Sequence, residues 1–259
     1  MTEVTGTLAW CLQLLAKKGL RYSTVIDLGC SDGHFFLDSY CDGTFAGAIG
    51  VNVDPNPLYE PSLRAIKDAT GGHYVIAAAS DSDGETEITS GAHPYWTSLR
   101  PAGDIYWEQV NRLSAEKIRV QTVTVDSLRK RLNLAGPFLI KLDVQGAEVA
   151  ALRGARETLA ETDVVVCEAD LRDFRAIDGV LNEAGFDLFD FTELRRIGDQ
   201  SLGWLYPVYL NRRREGIRQR SFWDPRINEM IVNSQQERRK WILAHNAQLL
   251  EKLKTQGRR

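Results

Sequence analysis

The chain has 259 residues, 43% of them hydrophobic and 26% charged, with a formal net charge of −3. This is ordinary globular usage, long enough to bury roughly three quarters of its unfolded surface without metals or disulfides, and it excludes disordered, collagen-like and coiled-coil classes. The charge is uneven: residues 211–259 hold 13 basic and 5 acidic side chains, a net of +8 that leaves −11 on the first 210, which predicts two parts with different partners.

Leu8, Leu12, Leu15 and Ala16 recur at helical spacing within Thr5 to Lys18, so an amphipathic helix is expected there, ended by Gly19. Short apolar runs follow at 23–28, 48–53, 74–79, 138–142 and 164–167. They do not alternate with polar residues, the pattern of parallel strands buried on both faces. Helical stretches at 61–70 and 147–159 lie between them, so the fold class is α/β, doubly wound with right-handed crossovers. Residues 83–119 are turn-rich and aromatic, 120–125 alternate like a strand, and 186–194 with 203–210 read as two antiparallel strands. A basic tail follows, with a helix over about residues 226–254 that aligns Leu243, Ala247, Leu250 and Leu253. The expected organisation is an N-terminal helix (1–22), a main domain (23–210) and the tail (211–259).

Cys11, Cys30, Cys41 and Cys167 show neither CxxC nor zinc-ligand spacing, which fits a reducing compartment. No run of about 18 apolar residues exists to span a membrane, and Met-Thr-Glu-Val does not open a signal peptide. A cytoplasmic location without a membrane partner is expected.

The first strand ends in VIDLGCSDGHF (25–35). Gly29 and Gly33 bracket a tight strand-to-helix turn, with Ser31 between them, where a ligand can approach backbone amides without meeting a Cβ. Asp27 departs from a dinucleotide fingerprint: a carboxylate there repels a pyrophosphate but pairs with a cation such as the amino-acid end of S-adenosylmethionine. The second strand ends in Asp54, 21 residues after Gly33, placed to accept hydrogen bonds from a ribose diol. The alternative is that Asp27 and Asp54 only cap turns. The third strand ends in Ala78, Ala79, Ser80 and Asp81, where a flat ring can lie on the alanines and Ser80 or Asp81 can reach an adenine amino group, unless this is a simple turn.

FLIKLDVQGAEVAALRGA (138–155), with VQTVTVDSL before it and VVVCEAD after it, resembles the FkbM family of S-adenosylmethionine-dependent methyltransferases. Lys141, Asp143, Gln145, Gly146, Glu148, Leu152, Gly154 and Ala155 follow that family's pattern in order, and the resemblance covers roughly Ser23 to Leu210. Gln145 stands where many members have Glu. The resemblance implies a Rossmann-like class I methyltransferase fold: a seven-stranded, mostly parallel sheet with an antiparallel last strand and helices on both faces. It also implies methyl transfer to an oxygen, most often a hydroxyl of a sugar, glycan or other small natural product.

A methyl on a cationic sulfur needs no metal activation; the protein must align the nucleophile and take its proton. Asp143, at a strand's carboxyl end, is expected to be the acid nearest sulfonium and acceptor, as base or as positioning group. Lys141, two residues earlier and so on the same strand face, either holds Asp143 ionised or steadies an oxyanion, unless the two form a structural pair. Glu168 ends the next strand and either faces the same crevice or packs and caps. His34 either acts on the substrate or opens the first crossover helix. Tyr95, Trp96, Thr97, Ser98, Tyr106 and Trp107 are either an acceptor wall or an ordinary hairpin. Mg²⁺ suits Asp143 and Glu168 as a hard cation, but no dedicated ligand cluster stands in the sequence, so no metal is assigned.

The basic tail, with Arg212, Arg213, Arg214, Arg218 and Arg220, can serve an acidic partner, nucleic acid or a neighbouring subunit, unless it is simply a solvated charge run, and its apolar stripe a docking or homo-oligomer helix; nucleic acid is not the expected partner. Two other functions compete with small-molecule O-methylation. One is a nucleic-acid-directed methyltransferase or a non-catalytic binding module that uses the tail. The other is an NAD(P)-dependent oxidoreductase, which Asp27 and the G-x-x-x-G spacing oppose.

Overall fold

The computed structural model describes residues 6–90, 97–98, 116–197, 201–217 and 225–256. The expected central sheet is present. Strands β1 (Thr24–Leu28), β2 (Ile49–Asp54) and β3 (His73–Ile76) pair in parallel on one side. The two-residue strands β4 (Ala78–Ala79) and β6 (Thr97–Ser98) and the longer β5 (Gly84–Ser90) and β7 (Glu116–Val123) form a second sheet in the order β4-β7-β5-β6. On the other side of β1 come β8 (Phe138–Leu142) and β9 (Thr162–Cys167), both parallel. A two-residue β10 (Ala169–Asp170) continues from β9, and β11 (Phe186–Ile197) and β12 (Ser201–Asn211) form a hairpin. β12 runs antiparallel against β9, so the long-strand order is β3-β2-β1-β8-β9-β12-β11. β1, β8 and β9 are buried along their whole length, which is why their sequences are mostly apolar.

Helices α1 (Leu8–Lys17), α2 (His34–Cys41), α3 (Glu60–Thr70), α4 (Val125–Leu132), α5 (Glu148–Arg153), α6 (Arg156–Leu159) and α7 (Phe174–Glu183) accompany the sheet. The single helix expected at 147–159 is two, broken where Gly154 packs: a Cβ on it would stand 2.1 Å from the Ser80 carbonyl oxygen. That contact gives the glycine of the LRGA segment a structural reason, because only a missing Cβ lets the Ser80 backbone through. In α1, Thr7 accepts from the Trp10 N–H as N-cap, and Leu8, Cys11, Leu12 and Leu15 are buried in the cluster that holds Val25, Leu139 and Val166. The N-terminal helix therefore packs directly on the sheet. No helix among the described residues is long and apolar enough to cross a membrane.

Three of the tail arginines are bound to the domain itself. Arg212 donates to Asp187 Oδ1 at 2.9 Å and to the carbonyls of Asn182 and Phe186. Arg213 donates through Nε and Nη2 to Asp163 Oδ1 at 3.1 and 2.7 Å and through Nη1 to the Ala160 carbonyl. Arg214 Nη2 lies 2.9 Å from Asp163 Oδ2. Asp163 is fully buried, so the two guanidinium groups are what make its charge tolerable. Asp163→Ala is expected to cost about 1–3 kcal/mol in urea unfolding, since the half-exposed arginines can turn to water; no loss of midpoint would show that the clamp contributes nothing. Arg218 and Arg220 lie outside the described residues. The last helix, α8 (Pro225–Gln256), forms a unit of its own. Trp241 and His245 stack on it at 4.6 Å, and Trp241 and Leu243 are exposed.

Candidate active site

Parallel pairing brings the carboxyl ends of β1, β2, β8 and β9 to one edge, where open α/β sheets bind ligands. A cavity of about 510 Å³ opens there. Its lining includes Ser31, His34, Asp54, Ala77–Ala79, Lys141, Asp143, Gln145, Glu168 and Tyr206.

Strand register explains the charged centre. Asp27 on β1 stands directly beside Lys141 on β8, so both side chains leave the same sheet face. Lys141 Nζ donates to Asp27 Oδ1 at 3.1 Å and lies 3.5 Å from Asp143 Oδ2. Burial works against the Lys141 charge, but Asp27 and Asp143 outweigh it and hold its pKa above the usual lysine value. Asp27 is fully buried, and burial raises its pKa against the pull of Lys141. It does not line the cavity. The expectation that Asp27 meets the cofactor directly is thus corrected: it is the counter-ion beneath Lys141.

One residue past β8 and β9, Asp143 and Glu168 stand side by side, their amides bonded to the Leu28 and Leu142 carbonyls. Gln145 bridges them, its Nε2 donating to Asp143 Oδ1 at 2.9 Å and to Glu168 Oε2 at 2.6 Å. A second bridge comes from Tyr206, whose hydroxyl lies 2.7 Å from Asp143 Oδ2 and 3.4 Å from Glu168 Oε1. The register of β12, with Val208 opposite Val166 and Leu205 opposite Ala169, is what sets Tyr206 across from Glu168. The two carboxyls differ in state. Burial opposes the Asp143 charge, yet Lys141, Tyr206 and Gln145 outweigh it and lower its pKa. Glu168 is raised well above the glutamate range by burial and by the Asp143 charge. Of the two carboxyls, Glu168 is therefore the one that takes a proton more readily. Gln145 and Tyr206 present hydrogens to these oxygens, the opposite of what a cation needs, and no cluster of three or more metal-ligating side chains occurs among the described residues.

The glycine loop is built differently from its reading as a bed of free amides. Gly29 has φ +71°, and a Cβ on it would stand 1.9 Å from the Asp143 carbonyl oxygen; the space it leaves admits the Asp143 backbone, while Gly29, Cys30 and Ser31 still line the cavity. The Gly29 and Cys30 amides donate to the Val53 carbonyl, Gly33 N–H to the Cys30 carbonyl, and Ser31 N–H to Asp54 Oδ2 at 2.9 Å. Asp54 Oδ1 accepts from Asn56 N–H at 2.8 Å. Burial pushes the Asp54 pKa up to about 6, against those two amide bonds. If Asp54 receives the ribose diol, affinity for a nucleoside cofactor rises with pH through about 6 and levels off above it, because a protonated carboxyl accepts such bonds poorly. Titrations from pH 5 to 8 would show this, and an equally steep rise in Asp54→Asn would assign it elsewhere.

Ala79 lines the cavity as expected, but Ser80 and Asp81 do not. The chain turns away after Ala79, because Ser80 N–H pairs with the Val123 carbonyl and its own carbonyl is pressed against Gly154. His34 opens α2, is exposed, and its Nδ1 lies 2.7 Å from Asp32 Oδ1 while the residue reaches the cavity rim. Tyr95, Trp96, Tyr106 and Trp107 lie outside the described residues. Thr97 and Ser98 are placed only as the two residues of β6, paired with β5.

Several lining residues had no sequence signal. Tyr206 sits in the uniformly apolar GWLYPVYL, where alternation shows no polar contrast. Leu8, Ala9 and Leu12 come from α1, and Glu193 and Arg195 from β11. Glu193 adopts φ +50° within an irregular stretch of β11. Its Oε1 accepts from Leu8 N–H, the first residue of α1, and its Oε2 from Arg195. That pairing ties the helix to the cavity mouth.

The family model described as Methyltransferase FkbM domain matches residues 27–188, more than half of the chain. No curated protein matches. Among solved structures the chain is similar to a methyltransferase FkbM from Methylobacillus flagellatus KT, with 15% identity and a TM-score of 0.44 over 73% of this chain and 43% of that one. The chain thus spans less than half the length of that structure. It is also similar to a precorrin-6y C5,15-methyltransferase from Geobacter metallireducens GS-15, with 13% identity and a TM-score of 0.41 over 76% and 83% of the two chains. A third likeness is to Aeropyrum pernix fibrillarin with natively bound S-adenosyl-L-methionine, with 12% identity and a TM-score of 0.39 over 77% and 74%.

Proposed function

The chain belongs to the FkbM methyltransferase family, and from that premise we propose that it uses S-adenosylmethionine to methylate a hydroxyl oxygen of a sugar, glycan or other small natural product. The observation that carries this reading is Asp143: a carboxylate kept ionised on the cavity wall, with Lys141 beneath it and two donors fixing its plane.

The cavity fits such a cofactor in its donor set. Asp54 offers a carboxylate at the end of β2 for a ribose diol, Ala77–Ala79 offer a flat apolar wall, and the carboxyl pair offers negative charge for a cationic sulfur. When bound, S-adenosylmethionine supplies an electrophilic methyl group that needs no further activation. The chain's task is then to orient the acceptor hydroxyl and remove its proton. Asp143 is the base: Gln145 and Tyr206 hold it, and Lys141 keeps it charged. Glu168, the carboxyl that takes a proton more readily, is the less suited of the two to begin as base.

Calorimetric titration with S-adenosylhomocysteine tests the cofactor. Saturable binding is expected, weakened by Asp54→Ala, with no binding of NADH; binding of NADH alone would overturn the reading. Transfer of a labelled methyl to hydroxyl-bearing glycosides, set against transfer to RNA, tests the acceptor class. Label in RNA alone would overturn that part.

A further inference from the structure

The carboxyl pair has a charge imbalance that the proposed reaction leaves unused. Four ionisable groups meet at the cavity wall: Lys141 from β8 and Asp143 and Glu168 just past β8 and β9 line it, with Asp27 from β1 behind them. Glu148, which opens α5, adds a buried carboxyl, but the Val144 and Gly146 amides donate to it. The neutral groups packed on the pair are Gln145, Tyr206 and the buried Cys167. Fully ionised, Asp27, Asp143 and Glu168 carry three negative charges against the single ammonium of Lys141. One proton on the pair brings this nearer balance, and so would one cation placed in the cavity.

We propose that Asp143 and Glu168 sense the charge of the cofactor: the pair holds one proton while the cavity is empty or carries the neutral thioether product, and releases it to solvent when the cationic sulfonium is seated. This rests on the reading of the cavity as an S-adenosylmethionine site. The geometry suits such a device. Gln145 and Tyr206 span both carboxyls, so the two are held at one spacing whichever carries the proton. Like charges so close raise the cost of a second ionisation, and a cation beside them removes that cost.

The proton balance of methyl transfer closes on the same pair. The S–CH₃ bond breaks with its electrons left on sulfur, an O–CH₃ bond forms, and the acceptor's O–H proton passes to the pair that was emptied on loading. The site then again holds one proton beside a neutral thioether. Glu168 is thereby specificity-determining for cofactor charge, favouring substrate over spent product.

The test needs no acceptor. S-adenosylmethionine and S-adenosylhomocysteine are titrated into the full chain by calorimetry between pH 5.5 and 7, in buffers of different ionisation enthalpy. That range stays below the point, about pH 8, where the ligands' own α-amino groups titrate. Expected is release of up to about one proton more with the sulfonium than with the thioether, any release from Asp54 being common to both. The affinity ratio should then climb with pH by up to about tenfold per unit, a ratio from which the Asp54 contribution cancels. Glu168→Gln should make proton release equal for the two ligands and flatten the ratio. Should that variant not fold, the pH dependence of the wild-type ratio alone decides. Binding of both ligands with equal proton release overturns the inference and leaves the cofactor reading standing, whereas binding of neither overturns both.

Discussion

Asp143→Asn lowers turnover by about 10²- to 10⁴-fold while affinity for S-adenosylhomocysteine stays within about threefold of the wild type. The amide keeps the side chain's shape and can still accept from Tyr206, so the cavity wall is preserved. What goes is the negative charge that takes the acceptor's proton. A general base contributes on that scale, and its nearest neighbours do not replace it: Gln145 is an amide and Lys141 is a donor. Labelled methyl transfer to an acceptor that the wild type uses, measured beside calorimetric binding, separates the two effects. Equal losses in both would make Asp143 a cofactor ligand only.

Lys141→Met destabilises the fold by about 3–5 kcal/mol, the cost of stranding a buried charge. Methionine fills nearly the same space, and the Phe35 ring, 5.4 Å from the ammonium, still covers it. The loss comes from Asp27, which is fully buried and has no other cation within salt-bridge distance among the described residues. Without the ammonium, burial acts on Asp27 unopposed and its folded-state pKa climbs further above the unfolded value. A carboxyl raised in this way binds protons more tightly when folded, so the variant's stability is best in acid and falls as pH rises through the folded pKa. Urea unfolding at pH 5 and pH 8 should show the larger deficit at pH 8. A deficit below about 1 kcal/mol, the same at both values, would reduce the pair to the worth of an exposed ion pair.

Where the sequence reading held, it held for local reasons. Strands buried on both faces are mostly apolar, so 138–142 declares itself as β8 with the observed bounds, and β1, β2 and β9 differ from expectation by one or two residues at their ends. Asp143 and Glu168 could be placed at strand ends because a polar residue closing an apolar run marks the edge of a buried sheet. The loop of 83–119 was legible only as a break in alternation. β5 within it is a seven-residue strand, GETEITS, whose partner β7 lies beyond residues 91–115, and a pairing so distant leaves no local trace.

What each polar group does was decided by register. Asp27 read equally well as a ligand for a cation from outside; its position beside Lys141 made the cation an internal one. Gly29 read as room for a ligand, and the space belongs to the Asp143 backbone. Tyr206 lies 63 residues from Asp143 in the chain, and no period or motif connects them; antiparallel pairing of β12 with β9 does. The sequence by itself determined the α/β class and the acids at the sheet's edge, because burial and strand period act over a few neighbouring residues, and the motif at 138–155 carried the family. Only the tertiary structure decided which acid is paired, which takes a proton more readily and which faces the cavity, since charge and proton affinity depend on distances of a few ångströms between strands far apart in the chain.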